Sequence, residues 1–455
     1  MPRRDLAILL IAAAAACFAY GRAGQPIFED RGYHIYMAQS VLRGDALYGD
    51  TTYGYTPYAP LLTALAMRVA SPFGVPSYLA PRFLGVALLL ALAVLLYFVA
   101  RRASDARTAL LAAVTLCGFG QLALYSVVGT EPVVVVSVFM LLAVFALQRE
   151  WWFGAGFAAC AAAMAWQPAV VVCLGTFILA RRRLPVIAGG CVAAIPALVY
   201  VLATGSVDDF LYQTVSRKVA SADLNVGASW LLVAARSYWT DVLVLLVGAI
   251  GFIAALRRRT SAEWPLIVMT CAWAAWSAIY FWAVKDLIPV LPLIAYWAAR
   301  MVSRRATAVV ALYCAILFGD AALYRSTYTL SQQIRDVHAA LGAARSNFIA
   351  FGAEEFYILT ETRAPVRYIR LGGWIDAFIE ARDPGGIDAF VNTIARLEPA
   401  AIVISDSEGP SRARTALDPL LRNRARKVVQ APHAYRVDTP YVPMEMQTAI
   451  VYQRR

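Results

Sequence analysis

Apolar stretches of about 20 residues recur through the first 325 positions, each long enough to cross a bilayer as a helix. They predict eleven spans, near 5–23, 78–100, 108–127, 131–148, 151–166, 168–181, 185–204, 239–256, 264–283, 286–302 and 306–324. The fifth and sixth are short, and Trp166, Gln167 and Pro168 predict a tight turn between them. Between Tyr33 and Leu47 the apolar positions are Ile35, Tyr36, Ala38, Val41 and Leu42. That helical spacing predicts a short amphipathic helix lying at the membrane surface. The stretch TPYAPLLTALAMRVASPFGVP predicts a second shallow element before Arg82 opens the next span. After Tyr324 the pattern changes. Short apolar runs (NFIAFG, VRYIRLG, AAIVIS, KVVQA and AIVYQ) alternate with helical patterns at Ser331–Ala344, Ile387–Leu397 and Arg412–Leu421. Strands alternating with helices predict a small soluble α/β domain over 326–455, attached to a helical membrane domain over 1–325.

Composition supports the membrane reading. Of 455 residues, 60% are hydrophobic and only 15% charged, against about a quarter charged in an ordinary soluble chain. The net charge of +12 would suit a nucleic-acid partner if it formed a patch. Instead the basic residues fall in short clusters between spans: Arg101–Arg102, Arg149, Arg181–Arg183, Arg257–Arg259, and Arg300 with Arg304–Arg305. With Arg3 and Arg4 they mark one cytoplasmic face, and no nucleic-acid partner is expected. The opposite face then receives the first loop, 24–77, and the C-terminal domain. The start, MPRRDLAILLIAAAAACFAY, has a signal peptide's layout, but its apolar stretch is long and predicts an uncleaved first helix. All seven cysteines lie in apolar runs, which predicts buried small hydrophobes and no disulfide framework.

The candidate chemistry lies in the first loop, where Glu29 and Asp30 are adjacent. Neighbouring carboxylates do not project the same way from a regular helix, so one faces a cavity while the other caps or orients. Two readings of Asp30 stay open on spacing alone. It caps the first turn of the predicted helix, or it acts as a general base on a hydroxyl at the membrane surface. Glu131 at the outer end of the fourth span is either a metal ligand or acceptor-orienting group, or an N-terminal cap ahead of Pro132. His34, four residues after Asp30, is on the same helix face; a metal pair is geometrically available there, against interfacial packing. No cofactor is certain, and a divalent metal is the one candidate.

The stretch FEDRGYHIYMAQSVLRGDALYGDTTYGYTPYAPLLTAL resembles the first outer loop of the GT-C superfamily of integral-membrane glycosyltransferases. PRFLGVALLLALAVLLY, GTEPVVVVSVFMLLAVFAL, AAAMAWQPAVVV and KDLIPVLPLIAYWAA resemble later segments of that family, in its order. The resemblance covers about 1–325. It implies inverting transfer of a sugar from a polyprenyl-phosphate donor to a glycan, lipid or protein hydroxyl at the outer face of a bacterial inner membrane. It further implies Asp30 as catalytic base with Glu29 as alternate, and Lys285 and Arg82 as cations for the leaving phosphate. Where the family often has Arg-Tyr or His-Tyr this chain has Lys285–Asp286, so a point charge replaces a bidentate clamp. Among the loop tyrosines, Tyr55 and Tyr58 are the candidates to contact the sugar, against the default of an interfacial aromatic belt. A transporter or flippase is the main competing class, followed by a non-catalytic envelope-assembly protein. The near absence of charge within the spans disfavours transport.

Overall fold

The computed structural model describes residues 1–20, 26–27, 29–127, 129–216, 239–257, 259–279, 284–301, 329–405, 411–430 and 448–454. The predicted span at 306–324 lies outside them. The first helix is Arg3–Tyr20, followed by the loop helices Glu29–Arg43 and Tyr58–Ala70. Apolar helices of 10 to 24 residues come next: Ala80–Ala103, Pro132–Gln148, Trp152–Ala165, Val170–Leu179, Arg183–Ala203, Trp239–Arg257, Trp264–Ile279 and Leu291–Met301. Ala80–Ala103 and Arg183–Ala203 are each long and apolar enough to cross a membrane. On the latter Leu184, Ile195, Leu198, Val199 and Leu202 are all more than half exposed, an apolar face that is stable against lipid rather than water.

Two predicted spans differ from the structure. The run 108–127 is two helices, Ala106–Gly118 and Gly120–Val127, broken at Phe119, whose ψ of 109° is extended. Gly118 and Gly120 flank the break and lower the cost of leaving the helix there. The run 286–302 begins as a 3₁₀ segment, Val284–Val290, which contains Pro289, and becomes α-helical only at Leu291. Proline removes a backbone donor and favours such an interruption. Lys285 therefore sits on a tight turn rather than in a straight span.

Glycines let the helices approach closely. A Cβ at Gly156 would fall 1.9 Å from Val186 O, and one at Gly85 only 1.6 Å from Ser126 O. The first closes Trp152–Ala165 onto Arg183–Ala203, in the manner of small-residue membrane interfaces. The second brings Ser126 and Gly129 against Ala80–Ala103, and Thr130 Oγ1 then donates to Pro81 O at 3.3 Å.

The arginine-bearing helix ends meet on one side of the bundle. Arg102 Nη2 donates to Gln148 O at 2.8 Å, and Gln148 Nε2 donates to Val99 O at 3.2 Å and Ala262 O at 3.0 Å. Tyr97 OH donates to Asp5 Oδ2 at 2.8 Å, Arg181 lies 3.6 Å from Glu150, and Arg300 pairs with Glu263. The first loop packs at the other end, where Gln167 Nε2 donates to Gly54 O at 3.0 Å and Thr214 O at 3.3 Å.

The C-terminal region contains a four-stranded sheet: β1 (Phe348–Phe351), β2 (Ala401–Ser405), β3 (Ala425–Gln430) and β4 (Thr448–Gln453), in the order β1-β2-β4-β3. β1 and β2 are parallel, with Phe348 opposite Ala401; the pairs β2–β4 and β3–β4 are antiparallel. β1 and β2 are buried throughout and read as continuous apolar runs. The predicted helix at 412–421 is two short ones, Arg412–Ala416 and Asp418–Leu421. The run VRYIRLG is not a strand. Pro365 supplies no backbone donor beside it, and its arginines pair with carboxylates of the membrane part, Arg367 with Asp209 and Arg370 with Asp30.

Candidate active site

Asp30 lies in the first turn of the Glu29–Arg43 helix. Its Oδ2 accepts from Lys285 Nζ, and its Oδ1 accepts from Arg370 Nη1 at 2.8 Å. One cation comes from 255 residues away on the 284–290 turn, the other from 340 residues away in the C-terminal region. The side chains remain 28% exposed for Asp30, 19% for Lys285 and 24% for Arg370, so the cluster is enclosed but open to incoming groups. Burial alone would raise the Asp30 carboxyl; the charges of Lys285, Arg370 and His34 oppose it and hold the group well below the usual carboxylate range. Burial opposes the charge on Lys285 too, but Asp30, Tyr55 and Glu131 raise its proton affinity well above the ordinary lysine value. Glu29 begins the helix, and its side chain lies outside the described part of the structure.

His34 and Glu131 form a buried pair beside this cluster. His34 Nε2 lies 3.5 Å from Glu131 Oε2, and Nδ1 is 3.1 Å from Tyr53 OH. Both residues are about 2% exposed or less. Among the described residues no group of three or more His, Cys, Asp and Glu side chains is placed to hold a metal. His34 and Glu131 alone are fewer ligands than a zinc site uses, and no step is assigned to a metal here. Tyr55 packs against His34 with ring centroids 5.1 Å apart and lies in the field of Lys285 and Asp30. Burial first, partly offset by Lys285 and reinforced by Asp30 and Glu131, pushes its phenol up to about 12.

Two candidates are placed elsewhere. Tyr58 OH donates to Ala193 O, tying the second loop helix to the middle of Arg183–Ala203, so it serves packing. Arg82 is buried beside Arg31 and Tyr78. It lies at the start of the Ala80–Ala103 helix, one turn from Gly85.

Arg370 is the site residue that sequence reasoning missed. It is the last of three arginines, Arg363, Arg367 and Arg370, the latter two within the run VRYIRLG that the sequence pattern predicts as a strand. Each reaches a carboxylate of the membrane part. Arg363 Nη2 lies 2.9 Å from Asp45 Oδ1, and Arg367 Nη2 lies 2.6 Å from Asp209 Oδ2 while also donating to Tyr48 O at 2.6 Å. Arg370 reaches Asp30 and, through Nε, Glu354. Its guanidinium also lies 4.4 Å from the Tyr33 ring centroid. Gln333 completes the docking: its Oε1 accepts from Ile27 N at 2.7 Å and its Nε2 donates to Ile27 O at 2.6 Å. The repeated arginines in an apolar run were the available signal.

The helical part has a GT-C-like fold, similar to that of solved GT-C glycosyltransferases. ArnT from Cupriavidus metallidurans, in a structure bound to undecaprenyl phosphate, superposes with a TM-score of 0.64 at 14% identity, over 98% of this chain and 97% of its own. The oligosaccharyltransferase AglB from Archaeoglobus fulgidus, in complex with an inhibitory peptide and a dolichol-phosphate, gives 0.51 at 11% identity, over 89% of this chain and 69% of its own. The arabinofuranosyltransferase AftD from Mycobacteria gives 0.50 at 13%, covering all of this chain but 42% of its own. No protein-family model matches the sequence, and neither does any curated protein.

Proposed function

We propose that this protein is an inverting glycosyltransferase that moves a sugar from a polyprenyl-phosphate donor to an acceptor hydroxyl at the outer surface of the membrane. The observation that carries the reading is Asp30: a carboxylate on the first loop, partly open, with a cation on each oxygen. The GT-C fold, and the lipid phosphates bound by ArnT and AglB, support the donor class.

In the proposed reaction Asp30 takes the proton of the acceptor hydroxyl as its oxygen bonds to the anomeric carbon. The bond from that carbon to the phosphate oxygen breaks on the opposite face, and its electron pair leaves with the phosphate. The donor is a phosphodiester with one negative charge, and the departing lipid phosphate acquires a second. Lys285, held on the turn beside Asp30, faces that developing charge; a fixed cation lowers the barrier where charge appears during reaction. Tyr55 lies against the same cluster and is the candidate surface for the sugar ring. The lipid tail remains between apolar helices while the head reaches the loop. Acceptors of the right class are cell-envelope glycans, lipids or proteins.

The test is transfer by purified protein from a panel of polyprenyl-phosphate sugars (mannose, arabinofuranose, glucose and an amino sugar) into an envelope extract. The expected result is incorporation from one of them with inversion at the anomeric carbon. Absence of transfer from every lipid-phosphate donor, with transfer from a nucleotide sugar instead, rejects the donor class.

A further inference from the structure

Arg370 has a geometry that docking alone does not require. Its Nε is held by Glu354, whose side chain is only 3% exposed, and the Tyr33 ring lies beside the guanidinium. Those two contacts fix the planar group from its inner side. Nη1 reaches Asp30, and that part of the cluster is partly open: the side chains of Asp30, Arg370 and Lys285 are 28%, 24% and 19% exposed. Two cations therefore converge on one carboxylate from two distant segments, 255 and 340 residues further along the chain, one presented as a point charge and one as a planar fork. This pair of donors matches a phosphate, which accepts from several directions at once.

Building on the proposed function, we infer that Arg370, supplied by the C-terminal region, completes the donor-phosphate site with Lys285, and that Asp30 occupies this site until a lipid phosphate takes its place. Asp30 and Glu354 supply two negative charges to the two cations Lys285 and Arg370, and the buried Glu131 adds a further acidic group in the field of Lys285. An arriving phosphate draws Nζ of Lys285 and Nη1 of Arg370 toward itself and leaves the carboxylate with fewer cations. Asp30 then regains affinity for a proton when a donor is present, and not before. Donor binding and base release become one event, and no proton leaves the acceptor in the absence of a sugar to receive its oxygen. The C-terminal region is thereby part of the site.

Equilibrium binding of undecaprenyl phosphate in detergent micelles, with no sugar transfer measured, tests this. Arg370→Gln and Lys285→Gln are each expected to weaken binding about tenfold or more, as loss of a charge-assisted contact does. Arg370→Lys is expected to fall between wild type and Arg370→Gln. Asp30→Asn is expected to bind more tightly than wild type, about threefold or better, because the competing carboxylate is gone. Arg367→Gln breaks the neighbouring docking pair with Asp209 and is expected to bind as wild type does. Inorganic phosphate, titrated in place of the lipid, is expected to give the same ranking at lower affinity, which separates the head-group contribution from the tail. Thermal unfolding of each variant shows which remain folded. If Arg370→Gln does not fold, the Asp30→Asn and Arg370→Lys results decide. Unchanged binding by Arg370→Gln, equal losses in Arg367→Gln and Arg370→Gln, or weaker binding by folded Asp30→Asn overturns the inference while leaving the donor class intact. Failure of wild type to bind the lipid phosphate at all rejects both.

Discussion

Glu263 and Asp30 are acids at opposite ends of the same bundle, each paired with a cation, and they differ in every respect that separates structure from chemistry. Glu263 is fully buried, and its partners lie on its own cap and on the packed helix Leu291–Met301. It accepts from Thr260 N at 2.8 Å in a capping box, from Tyr296 OH at 2.8 Å, and from Arg300 at the end of the facing helix. Each contact ties one helix end to another, and no oxygen is left open. Asp30 is partly exposed, and its two cations come from distant segments that converge on it. A carboxylate whose neighbours are its own cap holds a fold together; one that gathers long-range cations at an open surface has been assembled for an incoming group. Charge pairing alone does not distinguish them, whereas exposure and the origin of the partners do.

That contrast can be broken by mutation. After loss of the Asp30 carboxylate itself, the largest expected effect is on Lys285→Gln, which removes the fixed charge at the leaving phosphate and lowers transfer about a hundredfold. Glu263→Gln, by contrast, is expected to retain turnover within about twofold, since charged-group hydrogen bonds far from the site do not stabilise the transition state. Steady-state transfer assays on both variants check this; equal losses would erase the distinction. Glu263→Ala leaves Tyr296, Arg300 and the Thr260 amide without their shared acceptor and is expected to cost about 2–3 kcal/mol of stability. Denaturant unfolding in detergent reads that loss, and a change under about 0.5 kcal/mol would count against the structural role.

Gly85→Ala sharpens the comparison from the packing side. A Cβ there meets backbone at 1.6 Å, so Ser126 and Gly129 must move and carry Glu131 with them. The expectation is a loss of about 1–3 kcal/mol and reduced transfer together. Reduced stability with wild-type transfer would show that the Glu131–His34 pair does not need its observed position. The smallest effect concerns a third buried acid, Glu355, to which the structure assigns the opposite electrostatic fate from Asp30. Burial first, then the adjacent Glu354 charge, push its carboxyl well above the usual glutamate range. The folded protein therefore holds a proton that the unfolded chain releases, so stability falls as pH rises from about 4.5 toward that raised value. Glu355→Gln is expected to flatten this slope in thermal unfolding across pH; an unchanged slope would assign it to another group.

Much of the architecture was legible because membrane helices declare themselves through long apolar runs, as Ala80–Ala103 and Arg183–Ala203 do. The arginine clusters were equally informative, since the helix ends that carry them do converge on one side. Asp30 and Lys285 were legible through the segments that resemble the GT-C family, though their direct contact was not. Phe119 escaped because an apolar residue between two glycines continues the hydrophobic run even as the backbone leaves the helix. Arg370 escaped for a different reason. It meets Asp30 across 340 residues, and no local periodicity encodes a partner so far away. Its segment reads as a short apolar run like those of the strands, yet its arginines pair with Asp209 and Asp30 of the membrane part rather than with a sheet neighbour.

The central claim rests on the Asp30 carboxylate as proton acceptor, and single-turnover transfer at saturating polyprenyl-phosphate sugar tests it most directly. The account expects Asp30→Asn, folded and still binding donor, to transfer about a hundredfold to ten-thousandfold more slowly than wild type, with Glu29→Gln run alongside. Transfer by Asp30→Asn at the wild-type rate would contradict it.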